Sequence, residues 1–209
     1  MVEKKIKKNI NINFLQALFV GLLVMSNVLS SKIIAIGQYV IPGGIFCYAI
    51  TFLIMDIINE IFGEKQAKST MIYGIFVQII CTLLLQIVII MPGVNNDFNN
   101  VLSINIWLTI AGLISYLVSQ FIGIKIFNKI KSITRKKWIY ENVSTITSQI
   151  IDSLIFVGFG FGIGLGMSLN ALLTMFVCQV ITKVIIALVD TPFFYLIMHI
   201  HNKQGERYE

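Results

Sequence analysis

Long apolar segments alternate with short polar ones along the chain, and six of the apolar segments are long enough to cross a membrane as helices. The hydrocarbon core of a bilayer is about 30 Å thick and needs about 20 apolar residues per helix. The six predicted spans are Phe14–Ile36, Val40–Phe62, Thr70–Met91, Ile104–Phe127, Thr145–Met167 and Ala171–Met198. We therefore expect an all-α fold, an integral membrane bundle of six transmembrane helices that forms a single domain over residues 1–209.

The composition favours the same class of protein. Of the 209 residues, 56% are hydrophobic and 12% are charged, whereas about 25% is the usual charged fraction. A water-soluble domain of this size has too few charges here to cover its apolar surface. The three cysteines, Cys47, Cys81 and Cys178, lie inside apolar segments without CxxC or Cys/His spacing, so we expect no disulfide, no metal and no cofactor.

The basic residues are distributed unevenly between the two sides of the predicted bundle. Fourteen of the 16 Lys and Arg residues lie before span 1, after spans 2 and 6, or from the last turn of span 4 onward, and none lies in the loops after spans 1, 3 and 5. The positive-inside rule then predicts a multi-pass protein of the cell membrane with both termini cytoplasmic. Because the net charge of +6 comes from these short runs and not from a periodic basic face, the lipid bilayer is an expected partner and nucleic acid is not.

Six ionisable residues lie within the predicted spans or at their inner ends. They are Lys32, Asp56, Glu60, Asp152, Lys183 and Asp190. Ionisable groups at membrane depth cost at least a few kcal/mol each, so by default they face the interior of a bundle or a water-filled cavity and mark a functional site.

Helical spacing places these residues on polar stripes of four spans. The stripes consist of Asn27, Ser31 and Lys32 on span 1, Asp56, Asn59 and Glu60 on span 2, Ser148, Gln149 and Asp152 on span 5, and Gln179, Lys183 and Asp190 on span 6. The economical arrangement turns all four stripes toward a common central cavity.

Two cations and four acids would give this cavity a formal charge of −2 if every group were ionised. Either some carboxyls are protonated at rest and exchange protons, or the site is built for a cationic ligand, and both alternatives favour transport. In a third alternative, Lys183 pairs with Asp152 or Asp190, Lys32 pairs with an acid of span 2, and these pairs only fix helix packing.

Aromatic and small residues lie near the polar stripes. The aromatic residues placed to stack on a flat heterocycle are Phe46, Tyr48, Phe156 and Tyr195. In span 5, Gly158, Gly162 and Gly166 follow one another at four-residue spacing, which favours close helix packing within the bundle or across a homodimer. The alternative is an unwound stretch that lines the outer half of the cavity.

Four sequence motifs together resemble a known family. SNVLSSKIIAI on span 1, MDIINEIFGEKQAK on span 2, SQIIDSLIF on span 5 and KVIIALVDTPFFY on span 6 are similar to the motifs of the queuosine precursor transporters, also described as vitamin-uptake-like transporters. The resemblance implies uptake of a 7-deazapurine such as preQ0, preQ1 or queuine for the modification of transfer RNA. It also implies a fold similar to the six-helix substrate-binding subunits of energy-coupling-factor importers, acting without their ATPase module.

The resemblance assigns the polar places of the family's motifs to residues of this chain. These are Asn27, Lys32, Asp56, Asn59, Glu60, Asp152, Lys183 and Asp190. A deazaguanine presents an N1–H and an exocyclic amine that one carboxylate accepts in parallel, and the aminomethyl group of preQ1 is cationic. Our hypothesis is that one acid reads the base edge, a second binds the amine or shuttles a proton, and Lys183 sets their pKa values.

Other classes of membrane protein remain open at this point. The chain is alternatively a substrate-binding subunit that depends on a separate energy-coupling complex. An intramembrane enzyme is less well supported, because the sequence has no HExxH or GxSxG motif, and His199 and His201 lie at the end of span 6. A channel or scaffold would not need so many opposed charges within its spans.

Overall fold

The computed structural model describes residues 11–30, 32–36, 39–93, 99, 106–164 and 166–206. Within that part of the chain, six helices are long and apolar enough to cross a membrane, as predicted. They are α1 (Ile12–Ser30), α2 (Ile45–Phe62), α3 (Glu64–Ile90), α4 (Ile106–Ile133), α5 (Lys137–Ile155) and α6 (Leu169–Glu206). The chain is therefore built as a multi-pass helical membrane protein.

The segment between α1 and α2 forms a β-hairpin, so the predicted end of span 1 and the predicted start of span 2 were wrong. Strands β1 (Ile33–Ile36) and β2 (Tyr39–Pro42) pair antiparallel, with Ile36 opposite Tyr39. The hydropathy pattern predicts that span 1 stays helical to Ile36 and that span 2 begins at Val40. Both runs are apolar, but they are rich in β-branched residues and are separated by a Gly-Gln pair, which favours a hairpin.

Several helices continue beyond the apolar segments that predicted them. Helix α3 begins at Glu64 and not at Thr70, α5 begins at Lys137 and not at Thr145, and α6 runs past Met198. Hydropathy marks the part of a helix that lies in hydrocarbon, whereas the backbone hydrogen bonds continue into polar surroundings. The extension of α5 brings a further acidic residue into the bundle, as described below.

Helix α5 changes its hydrogen-bonding pattern in the glycine-rich segment. Residues Phe156–Ile163 form a π-helix in place of the unwound stretch considered from the sequence. Of its glycines, Gly162 packs against Leu172 of α6, whereas a Cβ at Gly158 would meet no atom within 4 Å. Close packing at the four-residue spacing is thus limited, in the described residues, to one contact with a neighbouring helix.

Helix α2 lies at the centre of the bundle and contacts the other five helices. On one side of α2, residues of α1 and α3 complete an apolar core that includes Phe19, Leu23, Ile58 and Met71. On the other side, α2 faces α4, α5 and α6, which bring buried polar side chains toward it. The outer surfaces of α3 and α6 expose large apolar side chains such as Phe76 and Leu188, as a lipid-facing surface does.

The two ends of the bundle differ in charge. We call the end at which α2 meets α3 and α4 meets α5 the basic end, because Lys65, Lys68, Lys131 and Lys137 lie there. The opposite end, which carries the β-hairpin, is the hairpin end. Contacts at the basic end include a hydrogen bond from Gln16 Nε2 to Thr70 Oγ1, which joins the start of α1 to the start of α3.

Candidate functional site

A buried ion pair lies between α5 and α6. Lys183 Nζ lies 2.6 Å from Asp152 Oδ2, and the two residues are 5% and 3% exposed. Lys183 also donates to Ser153 Oγ at 3.0 Å. The pair therefore joins two helices in the interior of the bundle.

Two further helices supply hydrogen bonds to the same carboxylate. Tyr48 of α2 donates its hydroxyl proton to Asp152 Oδ1 at 2.7 Å, and Ser119 of α4 lies 3.4 Å from the same oxygen. The ammonium of Lys183 lies 5.4 Å from the centre of the Tyr48 ring. We call Tyr48, Ser119, Asp152, Ser153 and Lys183 the central cluster, which joins α2, α4, α5 and α6.

The central cluster lies where the polar face of α5 meets the other helices. The buried residues of α5 are Tyr140, Glu141, Ser144, Thr145, Ser148, Gln149, Asp152 and Ser153. This spacing follows the period of a helix, so the polar side chains form one continuous stripe. The stripe runs from the basic end toward the middle of the bundle and presents hydroxyl, amide and carboxyl groups to α2, α4 and α6.

A second group of acids lies on the same stripe, nearer the basic end. Asp56 of α2 is buried and accepts a hydrogen bond from Thr145 Oγ1 of α5. Glu141 is 2% exposed, and its Oε2 accepts from Asn142 at 2.7 Å and lies 3.3 Å from Thr191 Oγ1 of α6. We call Asp56, Glu141 and the half-buried Asp190 the acidic cluster, since both other carboxyls lie within electrostatic range of Asp56.

The interior carries more acid than base. Among the residues that the structure describes, the buried charged side chains are Asp56, Glu141, Asp152 and Lys183. Three carboxyls against one ammonium would give a formal charge of −2 if all were ionised. The value equals the sequence-based one, but its composition differs. Glu141 is inside the bundle, whereas Lys32, Glu60 and the half-buried Asp190 are not among the buried residues.

Several buried polar atoms have no hydrogen-bond partner among the described residues. They are Asn59 Nδ2, Gln78 Oε1, Tyr116 Oη, Gln120 Nε2 and both amide atoms of Gln149. Such atoms are uncommon in folded proteins, since an unmade hydrogen bond costs about 1–3 kcal/mol. These atoms lie on α2, α3, α4 and α5, and each is a position at which water or a bound solute can supply the missing partner.

Four of the predicted site residues do not face this interior. Asn27 is exposed on α1, and Lys32 is exposed beyond the end of that helix, because the chain turns into the hairpin there. Phe46 is 51% exposed at the first turn of α2. Tyr195 is also exposed, and its hydroxyl accepts the backbone N–H of Trp138 at 3.0 Å.

Glu60 belongs to a separate network at the basic end. Its carboxylate lies 2.5 Å from Lys131 Nζ and 3.4 Å from Lys137 Nζ, and it accepts a hydrogen bond from Tyr140 at 3.1 Å. These contacts join the end of α2 to the end of α4 and the start of α5. Lys32, which the sequence had offered as a partner of Glu60, plays no part in them.

The remaining predicted residues lie in or beside the interior. Asn59 is buried and accepts a hydrogen bond from Asn128 of α4 at 3.1 Å. Gln179 is buried one turn before Lys183. Phe156 is half-buried at the start of the π-helix, with its ring centre 5.6 Å from that of Phe161.

Sequence reasoning missed Glu141, Thr145, Ser119 and Gln120. Glu141 and Thr145 continue the spacing of Ser148 and Asp152 toward the N-terminus, so extending the helical period of span 5 would have found them. Ser119 and Gln120 lie in the middle of span 4, where no charged residue draws attention to the stripe. Within the described part of the chain, no group of three or more His, Cys, Asp and Glu side chains is placed to hold a metal ion.

Residues 42–197 match the family described as "Putative vitamin uptake transporter". The chain belongs to this family. The matched residues include α2, the central cluster and the acidic cluster, so the vitamin uptake transporter family shares the part of the chain that carries the buried charges. The resemblance proposed from the four sequence motifs is thereby confirmed, and the protein is a membrane transporter by family.

One curated relative has a more specific name than the family. The "Probable queuosine precursor transporter" of Bacillus subtilis (strain 168) is 22% identical over 156 residues, which is 71% of this chain and 67% of the relative. No solved structure matches the chain significantly.

Proposed function

We propose that this protein takes up a queuosine precursor, a 7-deazapurine such as preQ0, preQ1 or queuine, across the cell membrane for the modification of transfer RNA. The observation that carries the proposal is the central cluster, in which four helices of a transporter fold converge on Asp152. The printed name of the Bacillus subtilis relative supports the substrate class.

The energetics of the central cluster favour a functional role. A buried ion pair contributes little to stability compared with apolar residues of similar volume, because both charges lose their hydration. Ionisable groups within membrane spans are costly and typically line solute or proton pathways. The central cluster is therefore better explained as a carrier site than as a device that only fixes helix packing.

The acidic cluster suits the chemistry of this substrate class. The aminomethyl group of preQ1 is cationic, and the three carboxyls of Asp56, Glu141 and Asp190 lie about two to three helical turns from Asp152 along the bundle. A carboxylate of this cluster would pair with the amine, or would carry a proton if the substrate is neutral.

The arrangement in the membrane completes the proposal. We place the basic end, with both termini, on the cytoplasmic side because lysines and arginines concentrate there. We also propose that the bundle resembles the substrate-binding subunits of energy-coupling-factor importers and acts without their ATPase module. The competing hypothesis is a substrate-binding subunit that depends on a separate energy-coupling complex, and the experiment below distinguishes the two.

Uptake of labelled preQ1, preQ0 and queuine tests the proposal in cells that lack their own carrier and any energy-coupling module. We expect accumulation with the wild-type chain and its loss in Asp152→Asn. The matched control is Glu64→Gln, which alters a surface ion pair with Lys68 within α3. No uptake by a wild-type chain verified to be in the membrane would contradict a solitary carrier of these bases.

A further inference from the structure

Gln149 of α5 has a buried amide whose two polar atoms are both unsatisfied. The residue is 1% exposed, and neither Nε2 nor Oε1 has a hydrogen-bond partner among the described residues. A methionine or leucine would fill a similar volume without this penalty, because it has no hydrogen bonds to lose. The amide is therefore explained best by a group that arrives to satisfy it.

Contacts on either side fix the level of Gln149 in the bundle. One turn toward the basic end, Thr145 donates to Asp56 of α2. About one turn toward the hairpin end, Asp152 accepts from Tyr48 of α2. Residues 145, 149 and 152 share one face of the helix, so the amide lies between the acidic cluster and the central cluster.

The two helices opposite this face bring an aromatic ring and a small side chain to the same level. On α2, Phe52 lies midway between Tyr48 and Asp56, and it is buried with its ring centre 5.4 Å from that of Tyr48. On α6, the buried Ala187 lies midway between Lys183 and Thr191, which contact Ser153 and Glu141 at the two ends of the α5 stripe. An aromatic ring and a methyl group at the level of an amide without partners suit a flat solute.

The carboxylate of Asp152 is less available for recognition than this amide. Its Oδ1 accepts hydrogen bonds from Tyr48 and Ser119, and its Oδ2 is paired with Lys183. Gln149 instead offers one donor and one acceptor side by side. That pattern is complementary to a heterocycle edge on which a ring N–H lies next to a carbonyl oxygen.

We infer that Gln149 is the residue that reads the edge of the transported base. Its Oε1 accepts the ring N–H, its Nε2 donates to the adjacent carbonyl oxygen, and the ring stacks on Phe52. The inference rests on the proposed function, because it takes the solute to be a 7-deazapurine. It gives Gln149 the role that the sequence had assigned to a carboxylate, and leaves the acids to the amine or to a proton.

Substitutions of Gln149 separate recognition from folding. Gln149→Met removes both unsatisfied atoms, so we expect a higher unfolding temperature of the solubilised protein and uptake reduced at least about tenfold at low substrate concentration. The matched control is Gln16→Met, because Gln16 Nε2 already donates to Thr70 at 2.9 Å. The control should lower the unfolding temperature and leave uptake within about twofold of wild type.

A second variant tests whether Gln149 recognises the hydrogen-bonding edge of the base. Gln149→Glu accepts the N1–H and the exocyclic amine of 7-deazaguanine but repels the unprotonated ring nitrogen of 7-deazaadenine. The measurement is the competition of unlabelled 7-deazaadenine and unlabelled 7-deazaguanine against labelled preQ1. The ratio of 7-deazaadenine competition to 7-deazaguanine competition should be lower in this variant than in wild type.

Two results would overturn the inference while leaving the proposed function intact: wild-type uptake by Gln149→Met, or an unchanged competition profile in Gln149→Glu. If Gln149→Met is not recovered from membranes, the Glu variant decides. A wild-type chain that takes up none of the 7-deazapurines overturns the proposed function instead.

Discussion

The carboxylate of Asp152 contacts side chains of three other helices, α2, α4 and α6. The ion pair with Lys183 is deeply buried, so removing either charge leaves the other without compensation. The effect of a single substitution therefore combines lost stability with lost function, and the two must be separated experimentally.

A double substitution separates them. Asp152→Asn or Lys183→Met alone should destabilise the solubilised protein by about 3–5 kcal/mol. The first leaves the buried ammonium of Lys183 unpaired, and the second leaves the buried carboxylate of Asp152 without its cation. The double variant Asp152→Asn, Lys183→Met should recover most of that stability and still fail to transport. Thermal unfolding and uptake, measured on all three, check this. A double variant with restored uptake would make the pair structural only.

Tyr48 provides a milder change at the same site. Tyr48→Phe keeps the ring and removes the hydroxyl that donates to Asp152 at 2.7 Å. A hydrogen bond to a charged group is worth about 1.5–3 kcal/mol, so we expect an intermediate loss of stability and reduced uptake. Phe52→Leu is unsuitable as a control because it alters the proposed stacking face, whereas Tyr73→Phe alters an exposed tyrosine on α3. Equal behaviour of Tyr48→Phe and Tyr73→Phe would remove Tyr48 from the site.

At this scale the sequence identified the charged residues better than their neighbours. Asp152 and Lys183 stood out because charges within apolar segments are rare and costly. Ser119 and Gln120 did not stand out, since polar uncharged residues are common in membrane helices. Which acid pairs with Lys183 depends on the rotation of α5 and α6 about their axes, which one sequence does not specify.

Helices α1 and α2 approach each other closely where the hairpin returns to the bundle. A Cβ on Gly44 would collide with the backbone carbonyl oxygen of Ser26 and with the hydroxyl of Ser30. Since a backbone atom cannot move aside independently, the start of α2 requires glycine at this position.

Two glycine substitutions test this contact. Gly44→Ala should destabilise the protein by at least about 2 kcal/mol, because the helices must separate to admit the methyl group. Gly21→Ala is the control on α1, where a Cβ meets no atom within 4 Å. It should leave the unfolding temperature unchanged or raise it slightly. Similar unfolding temperatures for the two variants would contradict this packing.

The network around Glu60 joins three helices, α2, α4 and α5, at the basic end. Glu60→Gln removes the ion pairs with Lys131 and Lys137, which are partly exposed, so a loss of about 1 kcal/mol is expected. Glu64→Gln alters a more exposed pair within one helix and should change stability less. Thermal unfolding at low salt compares the two, and a larger effect of Glu64→Gln would contradict the structural ranking.

The elements themselves were predictable in number but not in extent. Hydropathy locates the centre of each span because about 20 apolar residues are needed to cross the hydrocarbon. It does not distinguish the apolar strands Ile33–Ile36 and Tyr39–Pro42 from helix, and it stops at the first polar turn of α5. For this second reason, the hydropathy pattern places Glu141 outside the predicted span.

The whole molecule combines a lipid-facing outer surface with an interior that holds three carboxyls and one ammonium among the described residues. The fold class followed from composition and pattern, whereas the convergence of α2, α4, α5 and α6 on one carboxylate required the structure. The position of the basic end relative to the membrane gives a further prediction.

Reporter fusions test the orientation. A fluorescent protein fused after Glu209 should be bright and alkaline phosphatase at the same position inactive, because the C-terminus is placed in the cytoplasm. The control fusion, after Met91 at the end of α3, should behave in the opposite way. A reversal of this pattern would contradict the proposed orientation and leave the helix packing unaffected.

Transport by the purified chain tests the central claim most directly. Proteoliposomes that contain only this protein, loaded with buffer, would be given labelled preQ1, and the wild type would be compared with Asp152→Asn and Glu64→Gln. We predict entry of the label with the wild type and Glu64→Gln, and background levels with Asp152→Asn. Entry that is equal in all three, or absent from all three with the protein correctly inserted, would contradict a carrier whose site is built around Asp152.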